Sequence, residues 1–466
     1  MRSRARSSPP GDPSPALPSL DQQPIVRAAA WRAAIFGFFT TASVTGFGLG
    51  RAAAQELDVN DGLISETIAS RDRLKTYDNI KKYGAERIVD RERAEPDGLR
   101  AGNYLIFPSI GAAVVFDNNI FASGIDRQSD IRSELTPTLT FKSQLPRHVL
   151  DLSLGGRIVN YLEHSDQDYA SGFADLKGAL HFDAAHTLSA SLLGALEHEE
   201  RQDSTSSQFA AGPVPVWHDR ASVGITRDVG RLYGTLSGSY ETWSFQNVAS
   251  TTGGILDQSF RDTDVYSGQL RAGYRISPGF DAVARTRVLR VLNEGDGRVS
   301  RTATGYELVA GLAMETSPLL RWQLVGGWGW RDFDQTNLSD LQSMLAEGQM
   351  QWLVTQRLTF YATLGRTISD QVAANGGGLV ESKAEARLEY ELWHNLVLSL
   401  SGVAALEEFK GVSRTDHVYS GKAGVEYWAN KNWLFTFAYE HQVRDSSDDA
   451  FAMSRDKVSI GAKLRF

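Results

Sequence analysis

A strict alternation of side-chain character, repeated in segment after segment, constrains this chain more than any other feature. In residues 380–392 one set of alternate positions is almost wholly apolar and the other is charged: Val380, Ala384, Ala386, Leu388, Tyr390 and Leu392 against Glu381, Lys383, Glu385, Arg387, Glu389 and Glu391. Residues 264–276 and 357–368 alternate in the same way. Successive side chains point to opposite faces in a β-strand, whereas a helical face recurs every 3.6 residues. The sequence therefore predicts an all-β protein.

The connections between these segments come in two lengths that alternate along the chain. There are eight short connections, and most of them contain the Pro, Gly, Asn and Asp residues that tight turns favour, as at 145–147 and 277–279. Nine longer polar connections are centred near Ala122, Asp166, Ser206, Thr252, Gly295, Leu338, Gly376, Ser413 and Asp448. Outer-membrane barrels have short turns in the periplasm and longer loops outside. The pattern predicts a transmembrane, antiparallel up-and-down β-barrel of about 18 strands over residues 104–466.

Composition agrees with a barrel and excludes several other classes of protein. Mean hydropathy is −0.28, as expected when lipid-facing and lumen-facing residues alternate and average out. Beyond the N-terminus no stretch approaches the roughly 20 apolar residues of a membrane-spanning helix. The chain has no cysteine, which excludes disulfides, thiolate metal sites and a cysteine nucleophile.

The N-terminus has the order of a secretory signal peptide. Arg27 and Arg32 precede an apolar run at 33–50, and Ala52–Ala54 supply small residues before Gln55. We predict a signal peptide at 1–54 that is cleaved after Ala54, the alternative being a retained membrane anchor. The Pro- and Ser-rich residues 1–25 fit no export segment and are interpreted as an over-extended gene start, with the true start near Val26.

Residues 55–103 are rich in charge and poor in apolar side chains, so they cannot bury enough surface to offset the entropy of ordering. We predict a polar periplasmic leader that is partly disordered; the alternative is a docking segment for a periplasmic partner. Without residues 1–54 the chain carries 42 Lys and Arg against 54 Asp and Glu. This acidic balance disfavours a nucleic-acid partner.

The last predicted strand ends at Phe466, with Val458, Ile460, Ala462 and Leu464 alternating upstream. Such an ending resembles the signal by which the outer-membrane barrel assembly machinery recognises its clients. Aromatic residues such as Trp322, Trp352 and Trp393 cluster where strands meet turns, as an interfacial girdle requires. Outer-membrane lipid and the assembly machinery are therefore expected partners.

A barrel of this size encloses water unless something plugs it. The alternation assigns candidate lumen-lining charges of both signs: Arg271, Arg275, Arg285, Arg287, Glu381, Lys383, Glu385, Arg387, Glu389, Lys422, Glu426, Lys457 and Lys463. Such charges either shape the passage of ions or pair across strands and stiffen the wall. A slip of one residue at a bulge would exchange the two faces.

The entry to the barrel carries a family resemblance. Residues 97–109 (DGLRAGNYLIFPS) and 116–122 (FDNNIFA) resemble the opening signature of the second putative β-barrel porin family, proteobacterial outer-membrane proteins often encoded beside exopolysaccharide genes. The resemblance implies a porin-like barrel, a possible exit pore for exopolysaccharide, and periplasmic polysaccharide-export proteins as partners. Asp117–Asn119 either turns the chain into the first outer loop or binds a cation.

Three functions follow as hypotheses. The first is a channel for hydrophilic solutes, in which Phe173, Tyr233, Trp243 and Tyr361 near the lumen offer stacking faces to sugars. The second is a structural or partner-binding barrel without open conductance. The third is an outer-membrane hydrolase, which needs a nucleophile beside a histidine; His198 and His218 are available, but no motif singles them out. We predict no enzyme, and no catalytic, cofactor or metal residues.

Overall fold

The computed structural model describes residues 96–293, 295, 299–317, 319–336, 338–369 and 378–466. The predicted signal peptide and most of the predicted leader lie outside the described residues. No helix in these ranges is long and apolar enough to span a membrane.

Eighteen long strands form one antiparallel sheet. In chain order, β1 to β18 are Tyr104–Asp117, Asp130–Ser143, Val149–Tyr161, Tyr169–His181, His186–Glu199, Val214–Val229, Leu232–Phe245, Thr263–Ser277, Phe280–Leu292, Ala303–Ser317, Leu320–Phe333, Leu341–Leu353, Leu358–Ser369, Gly378–Trp393, Leu396–Lys410, Arg414–Trp428, Trp433–Ser446 and Met453–Arg465. Each strand pairs with its sequence neighbours. The sheet closes because β1 pairs with β18, from Ser109 opposite Arg465 to Asp117 opposite Lys457. The predicted 18-stranded barrel is confirmed.

Connection lengths also alternate, with one exception. The connection near Ser413, predicted to be long, is a three-residue turn at 411–413 between β15 and β16. Gly411 takes a φ of 82° there, which glycine adopts without steric cost. The prediction was wrong because polar residues at the ends of both strands, among them Glu408 and Thr415, resemble a loop in composition although they continue the ladder.

The two faces of the sheet differ in exposure and chemistry. On β8, Tyr266, Leu270 and Tyr274 are exposed, while Val265 and Arg271 on the opposite face are buried. The buried face is the inner one. Arg285 on β9 donates to Glu347 on β12, three strands away, with Nη1–Oε2 at 3.0 Å, and side chains on such distant strands meet only across a concave surface. The outer face, rich in Leu, Val and aromatic residues, is the lipid-facing surface.

Part of the inner wall is apolar and sharply curved. Val309, Val325 and Leu345 pack with Ile368 and Val380 in one buried cluster. Val380 therefore turns inward, although the alternation predicted it on the outer face. Beyond position 366, β13 still pairs with β14 but no longer with β12. This end of the β13–β14 hairpin can therefore bend into the barrel.

The seam between the first and last strands is extended below the C-terminus. A short strand, Leu99–Ala101, pairs with the start of β1, with Leu99 opposite Ile106 and Ala101 opposite Tyr104. The Phe466 backbone N–H donates to the Pro108 carbonyl at 3.1 Å. One edge of β1 is thus covered first by the preceding chain and then by β18.

Candidate functional site: a loop across the barrel lumen

The connection between β5 and β6, residues 200–213, folds into the barrel and is called the crossing loop below. Its backbone closes on itself: the Asp203 N–H donates to the Glu200 carbonyl at 3.1 Å and the Ser206 N–H to the Asp203 carbonyl at 3.0 Å. Gln202, Ser206 and Ala210 are buried. Polar groups are buried only when hydrogen bonds compensate them, and the crossing loop obtains these bonds from three parts of the wall.

The first anchor is Glu200, at the start of the crossing loop. Arg157 on β3 donates from Nη1 to Glu200 Oε1 at 2.8 Å, and the Tyr169 hydroxyl on β4 donates to the same oxygen at 3.0 Å. Burial alone would raise the pKa of Glu200, but Arg157 and Arg132 outweigh it and hold the pKa well below its usual range. Glu200 is therefore a permanent anion at neutral pH.

This anchor belongs to a network of buried charges around the barrel seam. Arg157 also donates from Nη2 to Glu134 at 2.9 Å, and Arg132 contacts the same carboxylate at 2.8 Å. Arg455 on β18 donates from Nε to Asp117 on β1 at 2.9 Å. The sequence offered a turn or a cation site for Asp117; in the structure it ends β1 and fastens β1 to β18.

The second anchor lies on β15 and β17. Arg444 donates from Nη1 to the Gln202 carbonyl at 2.8 Å, and the side chain of Ser204 lies beside the buried Glu407 carboxylate. From β5 to β17 the shorter route along the wall crosses six strand pairings through the seam. A loop that starts on β5 and contacts the inner face of β17 must therefore span the interior.

The third anchor joins the crossing loop to the next long loop, residues 246–262. Glu199 at the end of β5 accepts two hydrogen bonds from Arg261, at 2.9 and 2.6 Å. The Arg261 guanidinium lies 3.9 Å from the centre of the Phe245 ring, and both charged groups are almost fully buried. Ala210 packs into an apolar cluster with Trp243 and Val265 from the wall. The two loops are thus joined to each other and to the inner wall.

All thirteen candidate lumen residues lie on the inward register of their strands. Several are paired: Arg275 with Asp228, Arg387 with Glu389, and Lys457 with Glu440. Their part in passage through the lumen stays a prediction. The sequence did not identify Glu199, Glu200, Arg261 or Arg444, because nothing in a charged loop segment shows that the loop folds inward.

His198 and His218 are the histidines considered for catalysis. His218 Nε2 lies 2.8 Å from Glu241 and its ring stacks on Trp243 at 5.2 Å. His198 Nδ1 lies 3.0 Å from the Ser171 hydroxyl, and its ring stacks on Tyr169 with the ring centres 5.0 Å apart. Within the described ranges no group of three His, Cys, Asp or Glu side chains could hold a metal ion.

A closed antiparallel barrel with an apolar outer surface, a charged interior and inward-folded loops is the architecture of an outer-membrane porin-like channel. The chain belongs to the family described as "Putative beta-barrel porin 2", whose model matches residues 93–466. The predicted family and the predicted location in the bacterial outer membrane are confirmed.

Solved structures with a similar fold include two proteins from Pseudomonas aeruginosa. OccK3 (OpdO) is 13% identical, with a TM-score of 0.44, over 78% of this chain and 95% of that chain. OccK1 (OpdK) is 12% identical, with a TM-score of 0.45, over 78% and 98%. The siderophore receptor PiuA from Acinetobacter baumannii is 11% identical, with a TM-score of 0.44, over 79% and 82%. No curated protein matches the chain.

Proposed function

We propose that this protein is a diffusion channel for small hydrophilic solutes, and that the crossing loop sets the width of its passage. The observation that carries the proposal is the attachment of that loop to both sides of the lumen, through Glu200 on one side and through Gln202 and Ser204 on the other. Barrels of about 18 strands are wide enough to conduct water and ions, so an inward-folded loop becomes the element that limits size.

The charged inner wall supports passage of polar solutes rather than apolar ones. Inward-facing charges of both signs are distributed around the barrel, and several remain partly exposed, such as Arg287 at 22% and Arg387 at 25% of the side chain. Partly exposed charges keep the lumen hydrated. Such a wall favours solutes that exchange hydrogen bonds with it at little cost.

An exit pore for exopolysaccharide, suggested by the family resemblance, is a more specific form of the same channel function. A polymer chain would have to pass the crossing loop, whose release requires breaking the buried contacts of Glu200 and Arg444. We therefore propose small solutes for the channel as folded, and a polymer only if the loop leaves the lumen. The alternative of a closed, partner-binding barrel predicts no conductance.

Single-channel recording of the purified protein in planar bilayers tests the proposal through the Glu200→Gln variant. The amide cannot form the ion pair with Arg157, so this end of the crossing loop should loosen while the Arg444 and Arg261 contacts remain, and conductance should rise by up to roughly twofold as the passage widens. Breaking a buried ion pair should also cost about 3 kcal/mol of unfolding free energy, measurable by urea titration.

Glu163→Gln is the matched control. Glu163 is an exposed residue in the preceding outer loop, so its neutralisation should leave both conductance and stability unchanged. A wild-type protein without conductance would refute the channel itself. Equal conductance in the wild type and in Glu200→Gln would refute the role of the crossing loop.

A further inference from the structure

An arginine cluster lies on the inner wall of β8 and β9, in the middle of these strands. Arg271 on β8 stands directly opposite Arg285 on β9, and the next inward pair along the ladder is Gln269 opposite Arg287. Like charges in directly opposed positions destabilise a sheet unless something compensates them. The contacts of Arg285 and Arg287 show which groups of the wall compensate these charges.

Arg285 is paired, but incompletely satisfied. Its two terminal nitrogens both donate to Glu347, with Nη1–Oε2 at 3.0 Å. Its Nε is buried without a hydrogen-bond partner, and the residue as a whole is 7% exposed. A buried N–H of a guanidinium that lacks an acceptor is costly, so this position favours an additional oxygen.

Arg287 is the accessible member of the cluster. Its Nη1 lies 3.9 Å from Glu307 Oε2, beyond hydrogen-bond distance. The other oxygen of Glu307 already accepts from Arg331 Nη2 at 2.7 Å. The Glu307 charge is therefore shared between two guanidiniums, and the Arg287 side chain keeps 22% of its surface exposed.

The wall beside the cluster adds hydroxyl groups and further positive charge. Ser239 on β7 and Ser267 on β8 form a hydroxyl pair at 2.8 Å, and Ser267 lies two residues before Gln269 on the same face. Arg220 on β6, directly opposite Glu241, lies near enough to Arg287 to add a weaker positive charge beside the cluster. Short hydroxyl side chains leave room in front of the arginines.

We propose that Arg285, Arg287 and the neighbouring hydroxyls form a binding site for an anionic group with two or more acceptor oxygens, a carboxylate or a phosphate, on its way through the lumen. Guanidinium groups recognise such anions through paired N–H donors. The site rests on the proposed function for its supply of ligand, because the anion reaches it through the lumen, but its occupancy can be measured without conductance.

Binding of inorganic phosphate and of acetate to the full-length protein in detergent is measured by isothermal titration calorimetry in an amine buffer. The wild type should bind one or both anions with millimolar affinity, and Arg287→Gln should weaken binding about tenfold. Arg290→Gln is the matched control, since Arg290 lies on the same strand but on the outer face, paired with Asp334, and it should bind as the wild type does.

Reversal potentials across a KCl gradient give a second readout. The wild type should favour chloride, Arg287→Gln should shift toward potassium, and Arg287→Lys, which keeps the charge, should stay close to the wild type. Binding of neither anion by the wild type, or unchanged binding in Arg287→Gln, would overturn the site. Binding without any conductance would instead leave the site standing and refute the channel. If the glutamine variant fails to fold, calorimetry of Arg287→Lys gives the test, because lysine keeps the charge but lacks the paired N–H donors and should weaken anion binding.

Discussion

Two glycines on the inner face show how closely β10 and β11 approach each other. A Cβ added at Gly327 on β11 would lie 1.8 Å from the Leu308 carbonyl oxygen, and one added at Gly311 on β10 would lie 2.0 Å from the Leu324 carbonyl oxygen. These atoms belong to backbone, which cannot move aside cheaply. Glycine is therefore required at both positions by the approach of β10 to β11, and the apolar cluster around Val309 and Val325 fills this corner.

Gly327→Ala should destabilise the barrel by about 3 kcal/mol or more, because the added methyl group forces the backbones of β10 and β11 apart. Gly421→Ala is the control: a Cβ at Gly421 on β16 would meet no atom within 4 Å. That substitution should be neutral or slightly stabilising, since alanine loses less entropy on folding than glycine. Urea unfolding in detergent measures both, and similar stabilities of the two variants would contradict the close approach.

At the scale of single elements, neighbouring residues in the sequence predict strands better than they predict the course of loops. Residues 380–392 reveal a strand and both of its faces because each position needs only its neighbours two residues away. The faces of Arg271, Glu385 and Lys463 follow from the same rule. Register then propagates from strand to strand, so that one correct face fixes the next.

The crossing loop could not be predicted in this way. Glu200 depends on Arg157, 43 residues earlier, and the Gln202 carbonyl depends on Arg444, 242 residues later. In the sequence, Glu199, Glu200, Arg201 and Asp203 resemble any solvated outer loop. Whether such a loop stays outside or folds inward is decided by partners that only the closed barrel brings near. Val380 was misplaced for a related reason, since packing against Leu345 overrides the local alternation.

The alternation of β15 can be tested with single cysteines, because the natural chain contains none. Ser401 lies on the inward register, opposite Lys422, and Leu400 is exposed on the outer face. A charged, water-soluble thiol reagent should label Ser401→Cys and reduce its conductance by roughly a third or more as it narrows the lumen. Leu400→Cys, shielded by lipid or detergent, should react slowly and conduct as before. Equal labelling of both would contradict the assignment of the faces.

At the scale of the whole molecule, we propose that Phe466 contributes to assembly more than to stability. Phe466 is 47% exposed, and its contact to Pro108 is made by its backbone N–H. Deleting the ring in Phe466→Ala should therefore change the unfolding free energy by less than about 1 kcal/mol. If Phe466 is the assembly signal that the sequence suggests, the amount of folded barrel in the outer membrane should fall severalfold.

Phe437→Ala provides the comparison, because Phe437 is 45% exposed on the outer face of β17 and does not lie at the terminus. It should reduce the yield in cells less than Phe466→Ala does. Quantifying the heat-modifiable folded band in membrane fractions, beside urea titration of refolded protein, separates the two effects. Equal yields of the two variants would count against a special role for the terminus.

The short strand Leu99–Ala101 has a consequence for how this protein can associate with others. An unpaired strand edge invites strand addition by another polypeptide. Here the start of β1 is complemented by the chain's own preceding residues, and the remainder by β18, with Phe466 bonded to Pro108 where the two partners meet. This edge of β1 is complemented along its length by the chain itself, so a second copy or a periplasmic partner finds no backbone template on β1.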